Sequence, residues 1–163
     1  GRDPAEVELV AVTKKARPEA LLELLGSGRV KHVGENRVQD AAAKRKAVGS
    51  RGSGLVWHML GHLQRNKSRQ ALEVFGAVDS LDSLALAAKL DGELADTGRT
   101  MPVLVQVKLT ERETQSGLEP ENQIDFSAQK PHGDGTLIGT QNLILLVNKL
   151  PAAGQVVAVE VEI

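Results

Sequence analysis

The chain has 163 residues, of which 41% are hydrophobic and 25% are charged, and its formal net charge is −1. This length and hydrophobic share predict one domain with a sizeable core. The near-neutral charge gives no general reason to bind nucleic acid or an anionic membrane. Because the chain has no cysteine, disulfides, thiol catalysis and thiolate metal sites are excluded. No apolar run approaches the roughly 18 residues of a membrane span, and no signal peptide is recognisable, so we expect a cytoplasmic protein.

The first predicted element is a buried strand that ends at two lysines. The stretch from Val7 to Lys15 reads V-E-L-V-A-V-T-K-K, and such a continuous apolar run favours a strand of a parallel sheet. Ligands of parallel α/β folds bind at the carboxyl ends of the strands. A lysine there suits the covalent attachment of a carbonyl compound as an imine, because its amine is a nucleophile. The alternative is a solvated lysine pair between a strand and a helix.

Four further strands alternate with helices along the chain. Strands are predicted at about 29–33, 55–60, 76–80 and 102–109, and helices at about 18–25, from after Asn36 to 48, 67–73 and 83–97. Pro18 lies in the first turn of the first helix, and Gly26 is expected to cap its end. The regular alternation predicts parallel strands that are connected by right-handed crossovers.

This α/β pattern is compatible with two architectures. One is a (βα) barrel of the TIM type, and the other is an open, doubly wound parallel sheet. A complete eight-unit barrel usually needs at least about 200 residues. A barrel formed by this chain would therefore be partial or abbreviated.

Polar residues fall near the carboxyl ends of the first four predicted strands. They are Lys14, Asn36, His58 and Ser80. Each has a structural explanation as well, since Asn36 or Ser80 could cap a helix and His58 could be a core residue. Their convergence on one edge of a sheet nevertheless predicts a site for a small polar aromatic or carbonyl ligand.

Several motifs carry a resemblance to a known family. They are A-V-T-K from Ala11, G-E-N-R-V-Q from Gly34, W-H-M-L-G-H-L-Q-R-N-K from Trp57, D-S-L-D from Asp79, V-Q-V-K-L from Val105 and Q-S-G-L from Gln115. Over about residues 1–118 they resemble the YggS-like pyridoxal phosphate homeostasis proteins. The resemblance implies a barrel of the alanine-racemase N-terminal type.

The resemblance also implies a cofactor. It is pyridoxal 5′-phosphate (PLP), held as an imine on Lys14 with Asn36, His58 and Ser80 around it, and no metal. The family is understood to buffer or deliver PLP rather than to turn over a substrate, so no enzymatic activity is expected. A racemase is disfavoured because the chain has no tyrosine to act as the second base of alanine racemases. The alternative function is an engineered or chimeric α/β scaffold that has lost PLP binding.

The tail, residues 119–163, departs from the family pattern. It has no serine-glycine loop. The stretch Ile138-Gly139-Thr140 resembles the family's phosphate-binding Arg-Ile-Gly-Thr stretch but lacks the arginine. Short stretches of the tail also resemble the Rid imine-deaminase family. Together with the start at Gly1, the tail indicates a truncated, chimeric or engineered chain.

The tail nevertheless contains strand patterns. Residues 123–127 and 155–163 alternate as strands do, whereas residues 136–150 fit a strand or a buried helix. The stretch from Val156 to Ile163 is apolar at alternate positions and predicts an exposed or edge strand. We therefore expect the tail to patch an incomplete barrel or to pair with a second copy in a homodimer.

Overall fold

The structure is a computed structural model that describes residues 8–106 and 116–118, and the backbone of residues 143–145 and 156–160. This part of the chain forms a parallel α/β fold of seven strands and four α-helices. The strands are β1 (Glu8–Val12), β2 (His32–Glu35), β3 (Val56–Met59), β4 (Ala77–Leu81), β5 (Met101–Val105), β6 (Leu143–Leu145) and β7 (Val156–Glu160). The helices are α1 (Pro18–Gly26), α2 (Val38–Val48), α3 (Ser68–Val74) and α4 (Leu84–Ala95), with short 3-10 helices at Gly49–Gly52 and Arg65–Lys67.

All seven strands belong to one sheet. Its order is β6-β5-β4-β3-β2-β1-β7, and every recorded pair is parallel. The prediction of five parallel strands in sequential order is therefore confirmed. Each of the four helices packs against the next, as expected when successive crossovers share one hand and lie on the same face of the sheet. A doubly wound sheet would instead carry helices on both faces.

The core fills the space between this helix layer and one face of the sheet. Trp57 and Phe75 are the largest fully buried side chains, and α4 contributes Leu86, Leu90 and Leu94 along one stripe. Burial of each leucine stabilises the fold by about 1.5–3 kcal/mol. This layer holds the strands in register and so fixes the positions of the residues that follow them.

The second strand and the cap of the first helix differ from the sequence prediction. The second strand begins at His32 rather than at Arg29, and it extends through Gly34 to Glu35, beyond the predicted end at residue 33. Gly34 lies inside the strand because the side chain of Leu60 packs against it, and a Cβ there would lie 2.9 Å from Leu60 Cγ. At the end of α1, Gly26 is helical and Ser27 is the C-cap. The left-handed residue is Gly28, with φ 67°.

The tail contributes the two outer strands. β6 pairs with β5, and β7 pairs with β1 over five residues, from Glu8 opposite Val156 to Val12 opposite Glu160. The strand prediction is thus confirmed for residues 156–160. Of the two alternatives left open for residues 136–150, a strand is observed at residues 143–145. The predicted strand at residues 123–127 and the end of the fifth strand at residues 107–109 lie outside the described residues. Within the described part of the chain, no helix combines the length and apolar character needed to cross a membrane.

Candidate cofactor site

The carboxyl ends of the parallel strands form one edge of the sheet, which we call the rim. Lys14 follows β1 within a turn, and Asn36 follows β2 directly. Lys14 is half-buried, whereas its neighbour Lys15 and Asn36 are exposed. Two of the four predicted site residues therefore lie on the rim, on neighbouring strands.

The sheet face opposite the helices carries polar side chains, and we call it the polar face. Laterally paired residues point to the same side of a sheet, and Gly34 of β2 pairs with Val12 on one side and with His58 on the other. Val12 and His58 therefore share the polar face. This alternation ends with β1 at Val12, and Lys14 and Lys15 follow in a turn.

A chain of hydrogen bonds runs across the polar face. Asp79 Oδ2 lies 2.8 Å from His58 Nδ1, and His58 Nε2 lies 3.0 Å from His32 Nδ1. His32 Nε2 is then 3.8 Å from Glu8 Oε2. Because a carboxylate only accepts, His58 donates from Nδ1 to Asp79, and a neutral His58 then accepts at Nε2 from the N–H of His32 Nδ1. Both ring nitrogens of His58 are thus occupied by protein partners.

His58 and Ser80 are both buried, at 7% and 1% exposure. The hydroxyl of Ser80 donates to the carbonyl oxygen of Gly61 at 2.7 Å and so ties β4 to the loop after β3. Ser80 does not cap the following helix, because the N-cap of α4 is Ser83. His58 and Ser80 therefore form the buried part of the site, whereas Lys14 is half-buried and Asn36 is exposed.

The loops after β2 and β3 meet at the rim. A Cβ on Gly61 would lie 2.9 Å from the Cα of Asn36, so only a glycine allows this approach. Asn36 does not cap α2, whose N-cap is Arg37 without a side-chain capping bond. The position of Asn36 is instead fixed by its backbone contact with Gly61.

A buried network below Lys14 was not expected from the sequence. Glu35 Oε1 accepts hydrogen bonds from Thr13 Oγ1 and from Lys44 Nζ, each at 2.6 Å. Lys44 Nζ also donates to the backbone carbonyl of Thr13. Glu35 is fully buried, and its Oε2 has no hydrogen-bond partner among the described residues.

The periodicity of α2 contained a sequence signal for this network, namely a lysine among buried positions. Lys44 shares the buried stripe of α2 with Val38, Ala41 and Val48, at spacings of three to four residues that place them on one face. A lysine on such a stripe requires a buried partner. Glu35 could not be assigned as that partner from the sequence, because the contact joins α2 to the end of β2.

The comparisons with known proteins begin with sequence relatives. No family model matches the chain. The pyridoxal phosphate homeostasis protein of Haemophilus influenzae is 32% identical over 126 residues, which cover 77% of this chain and 53% of the relative. That of Escherichia coli K12 is 33% identical over 120 residues, covering 73% and 51%. The chain is a homologue of the pyridoxal phosphate homeostasis proteins. It spans about half the length of these curated relatives, and the resemblance stated from the motifs is confirmed.

Solved structures of PipY agree with this homology. PipY of Synechococcus elongatus without PLP superposes with a TM-score of 0.74 at 35% identity, covering 86% of this chain and 61% of PipY. PipY with PLP bound gives a TM-score of 0.66 at 40% identity, covering 74% and 54%. Alanine racemase of Clostridium difficile, at 16% identity and a TM-score of 0.56, covers 71% and 29% and shows a shared fold alone.

Proposed function

We propose that the chain binds PLP through the amine of Lys14 and does not turn over a substrate. The observation that carries this proposal is the PLP-bound structure of PipY, which is 40% identical over 74% of this chain. The position of Lys14 supports it, because a half-buried lysine at the rim of parallel strands lies where ligands of such folds bind.

The residues at the rim fit the reactive end of the cofactor. PLP supplies an aldehyde. Lys14 would hold the cofactor through its amine, which would condense with that aldehyde. The exposed amide of Asn36 offers both a donor and an acceptor beside it. His58 and Ser80, which are held by protein partners, would support the rim rather than contact the cofactor through these polar atoms.

The phosphate end of the cofactor decides between this function and its alternative. The family resemblance assigns the phosphate contacts to the last two barrel strands, and the matching residues 138–140 lie outside the described residues. The alternative is an engineered or chimeric α/β scaffold without PLP binding. The departure of residues 119–163 from the family pattern favours that alternative.

Borohydride reduction with peptide mapping tests the proposal. Addition of PLP is expected to produce visible absorbance and a reducible adduct on Lys14, which Lys14→Ala removes and Lys15→Ala retains. Two missing charge-assisted hydrogen bonds to the phosphate, at about 1.5–3 kcal/mol each, would weaken binding by roughly two to four powers of ten. An adduct on Lys15, or on no lysine at saturating PLP, would support the scaffold alternative.

The absence of turnover has its own support. The curated relatives are named for PLP homeostasis, and the chain contains no tyrosine that could serve as a second catalytic base. Chiral chromatography of alanine incubated with protein and PLP tests this point. We expect racemisation no faster than with free PLP, and a faster rate would contradict the proposal.

We also propose a partial barrel within one domain, with the tail from residue 119 as its divergent part. Two observations support it: the sequential strand order and the pairing of β7 with β1. The outer edge of β7 can then pair with β6 to close the barrel, or with a second copy to form a homodimer. Light scattering separates these cases, since a dimeric mass supports pairing between copies and a monomer supports closure. A cytoplasmic location and an engineered origin stay predictions.

A further inference from the structure

The segment Thr13–Ala16, which we call the lysine turn, carries both rim lysines. The N–H of Ala16 donates to the carbonyl oxygen of Thr13 at 2.9 Å, which is the closing bond of a β-turn. Lys14 and Lys15 are its two central residues, one half-buried and the other exposed. Because the turn is short, the orientation of Thr13 determines which lysine points toward the polar face.

Three groups outside the lysine turn also hold Thr13. Its N–H donates to the carbonyl oxygen of Gly34 at 2.9 Å. Its hydroxyl donates to Glu35 Oε1 at 2.6 Å, and its carbonyl accepts from Lys44 Nζ. The first bond continues the sheet ladder, whereas the other two come from the Glu35–Lys44 pair. That pair therefore fixes the rotation of the Thr13–Lys14 peptide unit.

Stability alone does not explain this pair. Glu35 is 0% exposed and Lys44 8%, so both charges lose most of their hydration on folding. A buried ion pair often stabilises a protein no better than apolar residues of similar size, although removal of one partner is costly. What the pair supplies in this position is a defined geometry for the residue that precedes Lys14.

We propose that Glu35 and Lys44 are positioning residues that orient the lysine turn, so that Lys14 rather than Lys15 presents its amine to the ligand. The inference rests on the proposed function in one respect, since PLP is the ligand that the oriented amine would meet. The orientation itself is a property of the apoprotein. It can therefore be measured with a small neutral aldehyde that needs no phosphate site.

The experiment compares two variants with the wild type. Lys44→Met removes the donor to Thr13 and leaves the Glu35 carboxylate buried without its cation. Glu35→Gln combined with Lys44→Met removes both charges and keeps an amide oxygen that Thr13 can reach. Lys89→Met is the matched control, because Lys89 pairs with Glu93 on the surface of α4 and its side chain is 52% exposed.

Two labelling reactions are read by peptide mapping in each protein. With PLP and borohydride, the ratio of Lys14 to Lys15 adducts should fall about tenfold in both variants, equivalent to about 1.4 kcal/mol of lost preference. With formaldehyde and cyanoborohydride, exposed Lys15 should be methylated faster than Lys14 in the wild type. The two rates should converge in both variants and stay distinct in Lys89→Met.

Thermal unfolding separates positioning from simple stability. Lys44→Met should unfold at a lower temperature, and the double variant should recover most of that loss while the labelling ratios stay altered. A double variant that recovers both stability and the wild-type formaldehyde ratio would overturn the inference. If PLP labels no lysine in the wild type but the formaldehyde rates converge in the variants, the proposed function fails and the positioning role stands.

Discussion

Gly61 and Gly92 occupy opposite environments and should respond in opposite ways to alanine. A Cβ on Gly61 would lie 2.9 Å from two backbone atoms of Asn36, whereas a Cβ on Gly92 would meet nothing within 4 Å. Backbone atoms cannot move aside cheaply, so we expect Gly61→Ala to lower the free energy of unfolding by about 1–3 kcal/mol. Urea denaturation, followed by the fluorescence of the single buried Trp57, measures the change.

The matched control is Gly92→Ala in α4. Glycine inside a helix costs about 0.5–1 kcal/mol relative to alanine, so this substitution should raise the free energy of unfolding by a similar amount. If Gly61→Ala is as well tolerated as Gly92→Ala, the loops after β2 and β3 do not approach each other as described. The test therefore reports directly on the contact that fixes Asn36.

At the residue scale, the sequence predicted where the site residues lie better than it predicted which residues they contact. Lys14 and Asn36 follow their strands as the pattern indicated, because strand ends can be read from the change from apolar to polar residues. The partners of His58 could not be read in this way. Its bonds to His32 and Asp79 join three strands, and only the register of the sheet brings these residues side by side.

At the element scale, α4 depends on its N-cap. Ser83 Oγ accepts a hydrogen bond from the N–H of Leu86 at 3.3 Å, which satisfies a backbone donor that the helix leaves open. We expect Ser83→Ala to lower the free energy of unfolding by about 0.5–2 kcal/mol, measured by urea denaturation. Ser53→Ala, on an exposed turn, should change it by less than about 0.5 kcal/mol. Equal effects in the two variants would show that the cap contributes nothing.

The helices were predicted more accurately than the second strand. The helix predicted at 83–97 begins one residue later and ends two residues earlier in the structure, as α4. β2 ends two residues later than expected, because Gly34 resembles a turn residue until Leu60 is known to pack on it. Local periodicity identifies elements that carry an apolar stripe. It does not predict the bounds of a strand that depend on packing against a side chain distant in sequence.

At the scale of the whole molecule, β7 covers one edge of β1. Five residue pairs join the two strands, and each ladder hydrogen bond contributes about 1 kcal/mol net. A chain that ends at Gly154 should therefore lose several kcal/mol in the free energy of unfolding and should scatter more light as concentration rises. A chain that ends at Glu160 retains all five pairs and is the control. Identical urea midpoints for the two chains would contradict a stabilising role for β7.

The pairing of β1 with β7 has a consequence for synthesis on the ribosome. Strands β1 to β5 each pair with a neighbour in sequence, but Glu8 pairs with Val156 near the other end of the chain. Contacts between such distant segments form late, and the amino-terminal units emerge first. The outer edge of β1 therefore stays uncovered until residues 156–160 are made. An open edge of an apolar strand recruits other strands, so intermolecular association of nascent chains should begin at Glu8–Val12.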